Sequence, residues 1–112
     1  MLQATIARID EDDVSKLRSW LAALSERRSE LGESYRRHGT RHELFLLIRT
    51  RPLPILVLVA EVENDEEAAV SFLRSNLPID VEFKTLVQEI SPEEAEVELL
   101  YDSAAYFGAA RS

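Results

Sequence analysis

The stretch RHELFLLIRTRPLPILVLVAEVEND, residues 41–65, decides the fold because its two apolar segments carry hydrophobic side chains on both faces. Pro52 and Pro54 cannot donate ladder hydrogen bonds, so they belong in the connection between strands at about residues 41–50 and 55–63. Side chains alternate across a strand, which sorts this hairpin into two faces. The face expected to meet helices is apolar throughout: Leu44, Leu46, Ile48, Leu56, Leu58, Ala60 and Val62.

The second face of the hairpin has an apolar centre and charged ends. It holds Glu43, Phe45, Leu47, Arg49, Ile55, Val57, Val59, Glu61 and Glu63. In a monomer its centre would be an exposed patch of several hundred Å², larger than monomers usually tolerate. We therefore expect a homodimer formed through this sheet face, and the alternative is a monomer whose C-terminal segment folds back over the sheet.

The remaining elements follow from periodicity and stop signals. Residues 2–9 predict a strand, and an apolar stripe from Val14 to Tyr35 predicts one long helix that ends at about His38, before Gly39. A short helix is expected after a cap at Asn64 or Asp65, and a second after a cap at Asp80. Alternation over residues 95–102 predicts a last strand.

This order is β-α-β-β-α-(α)-β, which is the ferredoxin-like plan. It predicts an α+β fold with a four-stranded antiparallel sheet and helices on one face, two copies pairing into a dimeric α/β barrel. We expect residues 1–103 to form a single domain and residues 104–112 a tail whose Tyr106 and Phe107 could dock on the body or on a partner chain.

The amino-acid composition excludes several classes of function. The 112 residues include no cysteine, which excludes disulfides, thiol nucleophiles and cysteine-ligated metals. With three glycines no phosphate-cradling loop can be built, and a net charge of −8 disfavours nucleic acid. The sequence has neither an apolar run long enough for a membrane span nor a signal peptide, so no membrane association and a cytoplasmic location are expected.

The charge is unevenly distributed. Residues 27–51 carry seven arginines and three glutamates, whereas residues 61–102 carry thirteen acidic and two basic residues. These regions could attract each other within the fold or across a dimer, or the arginines could line a pocket for an anionic ligand.

Three stretches resemble an uncharacterised prokaryotic family, a domain of unknown function in the dimeric α/β-barrel group. They are LRSWLAALSERRSEL (residues 17–31), HELFL (42–46) and SNLPID (75–80). The resemblance covers roughly residues 5–102 and implies the barrel fold. In that family a histidine often follows the Pro-Ile-Asp stretch, and PIDVEF has none. The wider group includes cofactor-independent oxygenases, haem-handling enzymes and small ligand-holding dimers.

The expected ligand site is a barrel cavity lined by Phe45, Leu47, Val57 and Val59. Arg28, Tyr35 or Arg49 would lie at its mouth. An arginine could hold a carboxylate, and the tyrosine could donate a hydrogen bond. Either long side chain could equally cover the edge of the core.

Catalysis is the rival interpretation, with His38, His42 and Glu61 as the candidates. One of the glutamates assigned to the barrel side (Glu43, Glu61, Glu63, Glu96 and Glu98) could have a raised pKa and act as a general base. His38, His42 and Glu43 do not match a known metal-binding spacing, so no metal or cofactor is predicted. The sequence thus favours a small homodimer that holds an apolar or amphipathic ligand, with or without a carboxylate. The alternatives are a cofactor-independent oxygenase or isomerase, and a protein-interaction module without a pocket.

Overall fold

The computed structural model describes residues 1–107 and has the predicted α+β class. Its elements, in chain order, are β1 (Leu2–Arg8), α1 (Glu11–Ala23), a 3₁₀ turn (Leu24–Glu26), α2 (Arg28–His38), β2 (Thr40–Ile48), β3 (Ile55–Val62), α3 (Asp65–Arg74), α4 (Pro78–Ile90), β4 (Glu93–Ala95) and α5 (Ala104–Phe107). Residues 108–112, the last part of the predicted tail, lie outside the described residues.

The strands form one antiparallel sheet in the order β2-β3-β1-β4. In the hairpin, Ile48 pairs with Ile55 across the six-residue connection 49–54. This register sets Phe45 beside Leu58 and Leu47 beside Leu56. All four side chains lie on the face that meets the helices, because Leu47 and Leu56 pack on the main core and Phe45 contacts Phe83 of α4.

The sequence-based assignment of faces is therefore right for β3 and wrong for β2. Leu44, Leu46 and Ile48 were expected under the helices, yet they are 43%, 48% and 47% exposed. The connection has an even number of residues, so even-numbered residues of β2 pair with odd-numbered residues of β3. Because paired residues lie on the same face and side chains alternate along each strand, the even-numbered residues of β2 share a face with the odd-numbered residues of β3. We call the second side of the sheet the open face; its apolar residues are Leu2, Ala4, Ile6, Leu44, Leu46, Ile48, Ile55, Val57 and Val59.

The core lies between the sheet and the helices. Its largest cluster of buried side chains comprises Ile9, Val14, Leu17, Leu86 and Ile90. A smaller cluster joins β3 to α3 through Ala60, Val62 and Ala68. Burial of these apolar faces, rather than helix propensity, holds α1, α3 and α4 on the sheet.

The predicted single long helix is interrupted. The 3₁₀ turn and the non-helical backbone of Arg27 (φ −121°, ψ 41°) separate α1 from α2. No proline or glycine lies at this break, and the side chain of Arg27 there bridges two acidic residues. The guanidinium of Arg27 is bound at 2.6–3.3 Å by Glu30 and at 2.7 Å by Glu82 of α4. The predicted end of the helix before Gly39 is confirmed.

Two C-terminal predictions also need correction. Asp80 does not cap α4, which begins at Pro78, whereas Asn64 does cap α3 by accepting from the Glu67 N–H at 3.0 Å. The last strand is β4, which pairs only with residues 6–8 of β1. Alternation over residues 96–102 did not make a strand, because that segment has no ladder partner among the described residues.

The C-terminal segment stays at the surface. Leu99 and Leu100 are 75% and 87% exposed, and Tyr106 stacks on Tyr101 with 5.5 Å between ring centroids. Docking of Tyr106 on the body is therefore not seen. None of the helices within residues 1–107 combines the length and hydropathy of a membrane-spanning segment.

Two glycines of the α2 region give a matched test of backbone geometry. Gly39 has φ +68°, where an added Cβ would also meet Glu63 Cβ at 3.4 Å. Gly39→Ala should therefore lower the free energy of unfolding by about 1–2 kcal/mol. Gly32 lies inside α2, where an added Cβ would meet only the Arg36 side chain, at an ordinary distance of 3.5 Å. Gly32→Ala should therefore raise the free energy of unfolding by about 0.5–1 kcal/mol.

Urea denaturation followed by circular dichroism measures both variants. Equal shifts of the same sign would contradict the left-handed C-cap at Gly39.

Candidate functional site

A cavity of about 210 Å³ lies between the helix-covered side of the sheet and the helices. Most of its wall is apolar and includes five aromatic rings, those of Trp20, Tyr35, Phe45, Phe72 and Phe83. Its polar lining consists of Gln3, Ser34, His38, Thr40, Glu43 and Asp80, with the Tyr35 hydroxyl. A mostly apolar wall with a few convergent polar groups is typical of a small-molecule site.

Phe83 of α4 organises the aromatic wall. Its ring centroid is 5.0 Å from that of Trp20, 5.9 Å from that of Phe45 and 6.0 Å from that of Phe72. The four rings come from α1, α3, α4 and β2, and the contacts with Phe45 and Phe72 are edge-to-face. Such contacts fix ring orientations and give the cavity rigid sides.

Tyr35 and Glu43 form the first polar feature. The Tyr35 hydroxyl donates to Glu43 Oε1 at 2.9 Å. Burial raises the pKa of Glu43 above its ordinary value; the bond from Tyr35 offsets part of this rise, and the charge of Asp80 adds to it. Burial, followed by the charge of Glu43, raises the pKa of Tyr35. Glu43 Oε2 accepts no hydrogen bond within residues 1–107, so this carboxylate keeps an unused acceptor.

Asp80 is the centre of the second polar feature, a buried network. Its Oδ1 accepts from the Ser34 hydroxyl at 2.6 Å, and its Oδ2 accepts from Ser75 at 2.5 Å and from His38 Nε2 at 2.7 Å. Burial alone would raise the pKa of Asp80, but the bonds from Ser34, Ser75 and His38 lower it below its ordinary value. The network joins α2 to α4 and to the loop that precedes α4.

His38 uses both of its ring nitrogens in this network. Nε2 bonds to Asp80, and Nδ1 lies 2.6 Å from the hydroxyl of Ser71 in α3. An ionised carboxylate only accepts, which assigns the Nε2 proton to His38. Neither nitrogen is then open to a metal ion or a substrate.

The Ser71, His38 and Asp80 side chains form a chain that resembles a catalytic triad in composition only. In the Ser-His-Asp template the serine meets Nε2 and the aspartate meets Nδ1, the reverse of the contacts seen here. Ser71 also does not line the cavity, and its hydroxyl lies 3.4 Å from the Arg37 carbonyl oxygen. This geometry indicates a structural link between α2 and α3.

The structure separates the ligand-site residues expected from the sequence. Phe45 and Tyr35 line the cavity. Leu47 packs against the main core instead, and Val57 and Val59 lie on the open face. The four residues expected to line one wall therefore lie on opposite faces of the sheet, because the prediction assigned the side chains of β2 to the wrong faces.

The two arginines expected at the mouth lie elsewhere. Arg28 is exposed at the start of α2, and Arg49 is exposed and bound to Glu11. The catalytic candidates are also split, because His38 is at the cavity whereas His42 and Glu61 are paired neighbours on the open face. No group of three metal-ligating side chains occurs in the described part of the chain.

The sequence interpretation missed Asp80 and Ser34 as site residues. Ser34 and His38 are spaced by four on the apolar side of α2, which was a usable signal, since polar side chains there need buried partners. Asp80 was read as a cap. Nothing local distinguishes it, because its partner His38 is 42 residues away in the chain.

No protein-family model, curated protein or solved structure matches the chain. The resemblance to a family of the dimeric α/β-barrel group therefore stays a prediction.

Replacing Asp80 tests the buried network. Asp80→Asn puts an amide in front of three donors, so the free energy of unfolding at pH 7 should fall by about 3 kcal/mol. The pKa of Asp80 is lower in the folded protein than in the unfolded chain, where aspartate titrates near 4. The network's contribution is therefore present above about pH 4 and lost as the pH falls further.

Urea titrations between pH 2 and pH 7 should accordingly show the two proteins converging at low pH. Glu89→Gln, at an exposed position of the same helix, is the control and should change little. A constant gap at all pH values would contradict an ionised Asp80.

Proposed function

We propose that the protein binds a small, mostly apolar molecule in the cavity between its helices and the helix-covered side of its sheet. The observation that carries this proposal is a half-open cavity of about 210 Å³ whose wall holds five aromatic rings beside a carboxylate with one oxygen unbonded within residues 1–107. An apolar cavity of ~150 Å³ accommodates benzene, so a single ring with a short polar arm has a suitable size.

The proposed site lies within one copy of the chain rather than between two sheets. Its polar end is formed by Glu43 and Tyr35 instead of by arginine. Within residues 1–107 no lysine or arginine lines the cavity, which argues against the carboxylate-bearing ligand considered from the sequence. A neutral or positively charged polar group suits this lining better.

The positions and hydrogen bonds of the candidate catalytic residues favour ligand binding over catalysis. His38 has both nitrogens bonded, and His42 and Glu61 lie on the other side of the sheet. The presence of a cavity also favours ligand binding over an interaction module without a pocket.

The proposal includes a ferredoxin-like fold and a homodimer formed through the open face. The strand order β2-β3-β1-β4 with helices on one side supports the fold assignment. For the dimer, the support is an apolar surface on three adjacent strands, which are about 4.8 Å apart. A second copy offers the same surface and buries it around a two-fold axis.

Filling the cavity rim should abolish binding. Ala69 lines the cavity yet is exposed, so Ala69→Phe can block the space without overpacking the core. We expect native mass spectrometry of the purified protein to show an added mass on the order of 100–200 Da. Ala69→Phe should reduce its occupancy at least tenfold.

Ala22→Phe adds the same ring at an exposed position of α1 outside the cavity and is the matched control. A wild-type protein that carries no added mass and is not stabilised by small aromatic probes would contradict the proposed function.

A charge in the centre of the open face should dissociate the dimer. Leu46→Asp places a carboxylate in the proposed interface, where pairing leaves it without water. Sedimentation velocity should show a dimer for the wild-type protein and a monomer for this variant.

Leu73→Asp, at a 71% exposed position of α3, is the control and should remain dimeric. A wild-type protein that sediments as a monomer would contradict the dimer and leave the cavity proposal unaffected.

A further inference from the structure

The two acidic groups at the cavity differ in how well their charges are compensated. Three hydrogen-bond donors surround Asp80, and one of them is an imidazole. Glu43 receives a single bond from a neutral hydroxyl, that of Tyr35. Glu43 is therefore the half-buried acidic group at the cavity whose charge lacks a counterpart within residues 1–107.

No cationic side chain of the described region can supply that counterpart. Lys84 is the lysine nearest to the aromatic wall, with its ammonium 5.6 Å from the Phe72 ring centroid. Its Nζ donates at 2.9–3.1 Å to three carbonyl oxygens, those of Phe72, Leu73 and Ser75. It thus caps the end of α3, and it does not line the cavity.

Glu43 lines the cavity and has one carboxylate oxygen that a ligand could bind. Tyr35 occupies Oε1 and orients the carboxylate, while Oε2 has no partner within residues 1–107. The surrounding rings present π-faces and edges, and π-faces attract cations. One oriented acceptor and several aromatic rings are a suitable combination for an ammonium group on an apolar body.

We infer that the ligand of this cavity is a small amine whose ammonium group binds Glu43 Oε2 and whose apolar part packs among the aromatic rings. This inference rests on the proposed function and specifies its ligand class. An ammonium supplies both the missing charge and a strong hydrogen bond. An alcohol of the same shape supplies only the hydrogen bond, and a carboxylate is repelled by Glu43.

The desolvation of Glu43 agrees with this assignment. Burial disfavours its ionised form, which is the reason its pKa is raised. A bound cation would reverse this penalty, so part of the binding free energy comes from relieving an unfavourable state of the empty protein. Selectivity for cations is then built into the cavity.

Three probes that share a phenyl ring and a two-carbon arm test the inference. They are 2-phenylethylamine, 2-phenylethanol and 3-phenylpropanoate, each titrated into the full chain at pH 7 by isothermal titration calorimetry. We expect the amine to bind at least tenfold more tightly than the alcohol, and the carboxylate to bind more weakly than the alcohol.

Variants identify the group responsible. Glu43→Gln keeps the shape and removes the charge, so it should reduce amine affinity to that of the alcohol and leave alcohol binding unchanged. Tyr35→Phe frees Oε1 and should weaken amine binding by a few fold. Glu66→Gln, at an exposed position of α3 outside the cavity, is the control and should bind all three probes as the wild-type protein does.

The outcomes separate the two proposals. Equal binding of amine and alcohol, preference for the carboxylate, or an amine preference that survives in Glu43→Gln would overturn the amine assignment while the cavity remains a ligand site. Absence of binding by all three probes would overturn the proposed function itself.

Discussion

The buried carboxylate of Asp80 accepts hydrogen bonds from three side chains, and the positions of α2, α3 and α4 relative to one another depend on it. A buried charge without such partners would cost several kcal/mol, so α2 must approach α4 where Ser34 and His38 can reach it. His38 extends the constraint to α3 through Ser71. Once these helices are held together, Tyr35, Phe72 and Phe83 face a common space, and the aromatic cavity follows from the polar network.

The two faces of the sheet differ in their surroundings. Under the helices it contributes Phe45, Leu58 and Glu43 to the cavity, and its open face carries leucine, isoleucine and valine that no described segment covers. The division arises from alternation alone, because neighbouring residues of one strand point to opposite sides. The apolar hairpin therefore lines the cavity on one face and leaves an apolar surface on the other.

Local signals predicted the elements well, and long-range geometry limited the rest. The C-terminal glycine of α2 and the asparagine cap of α3 are properties of a few adjacent residues, so the sequence indicated both. The faces of β2 depend on how many residues the connection to β3 leaves unpaired, and Arg27, at the break between α1 and α2, contacts Glu82, which is 55 residues away. The site was only half predicted for the same reason. His38 and Tyr35 lie on a recognisable helical stripe, whereas Asp80 acquires its role only when α4 packs beside α2.

Trp20 is the single tryptophan among the 112 residues, and it lies in the cavity wall. Its ring packs 5.0 Å from Phe83, and its buried indole N–H has no acceptor among the described residues. Indole emission depends on the polarity and rigidity of the ring's surroundings. The protein therefore contains a fluorophore in the cavity wall, whose emission wavelength and anisotropy would report a molecule bound there without any label.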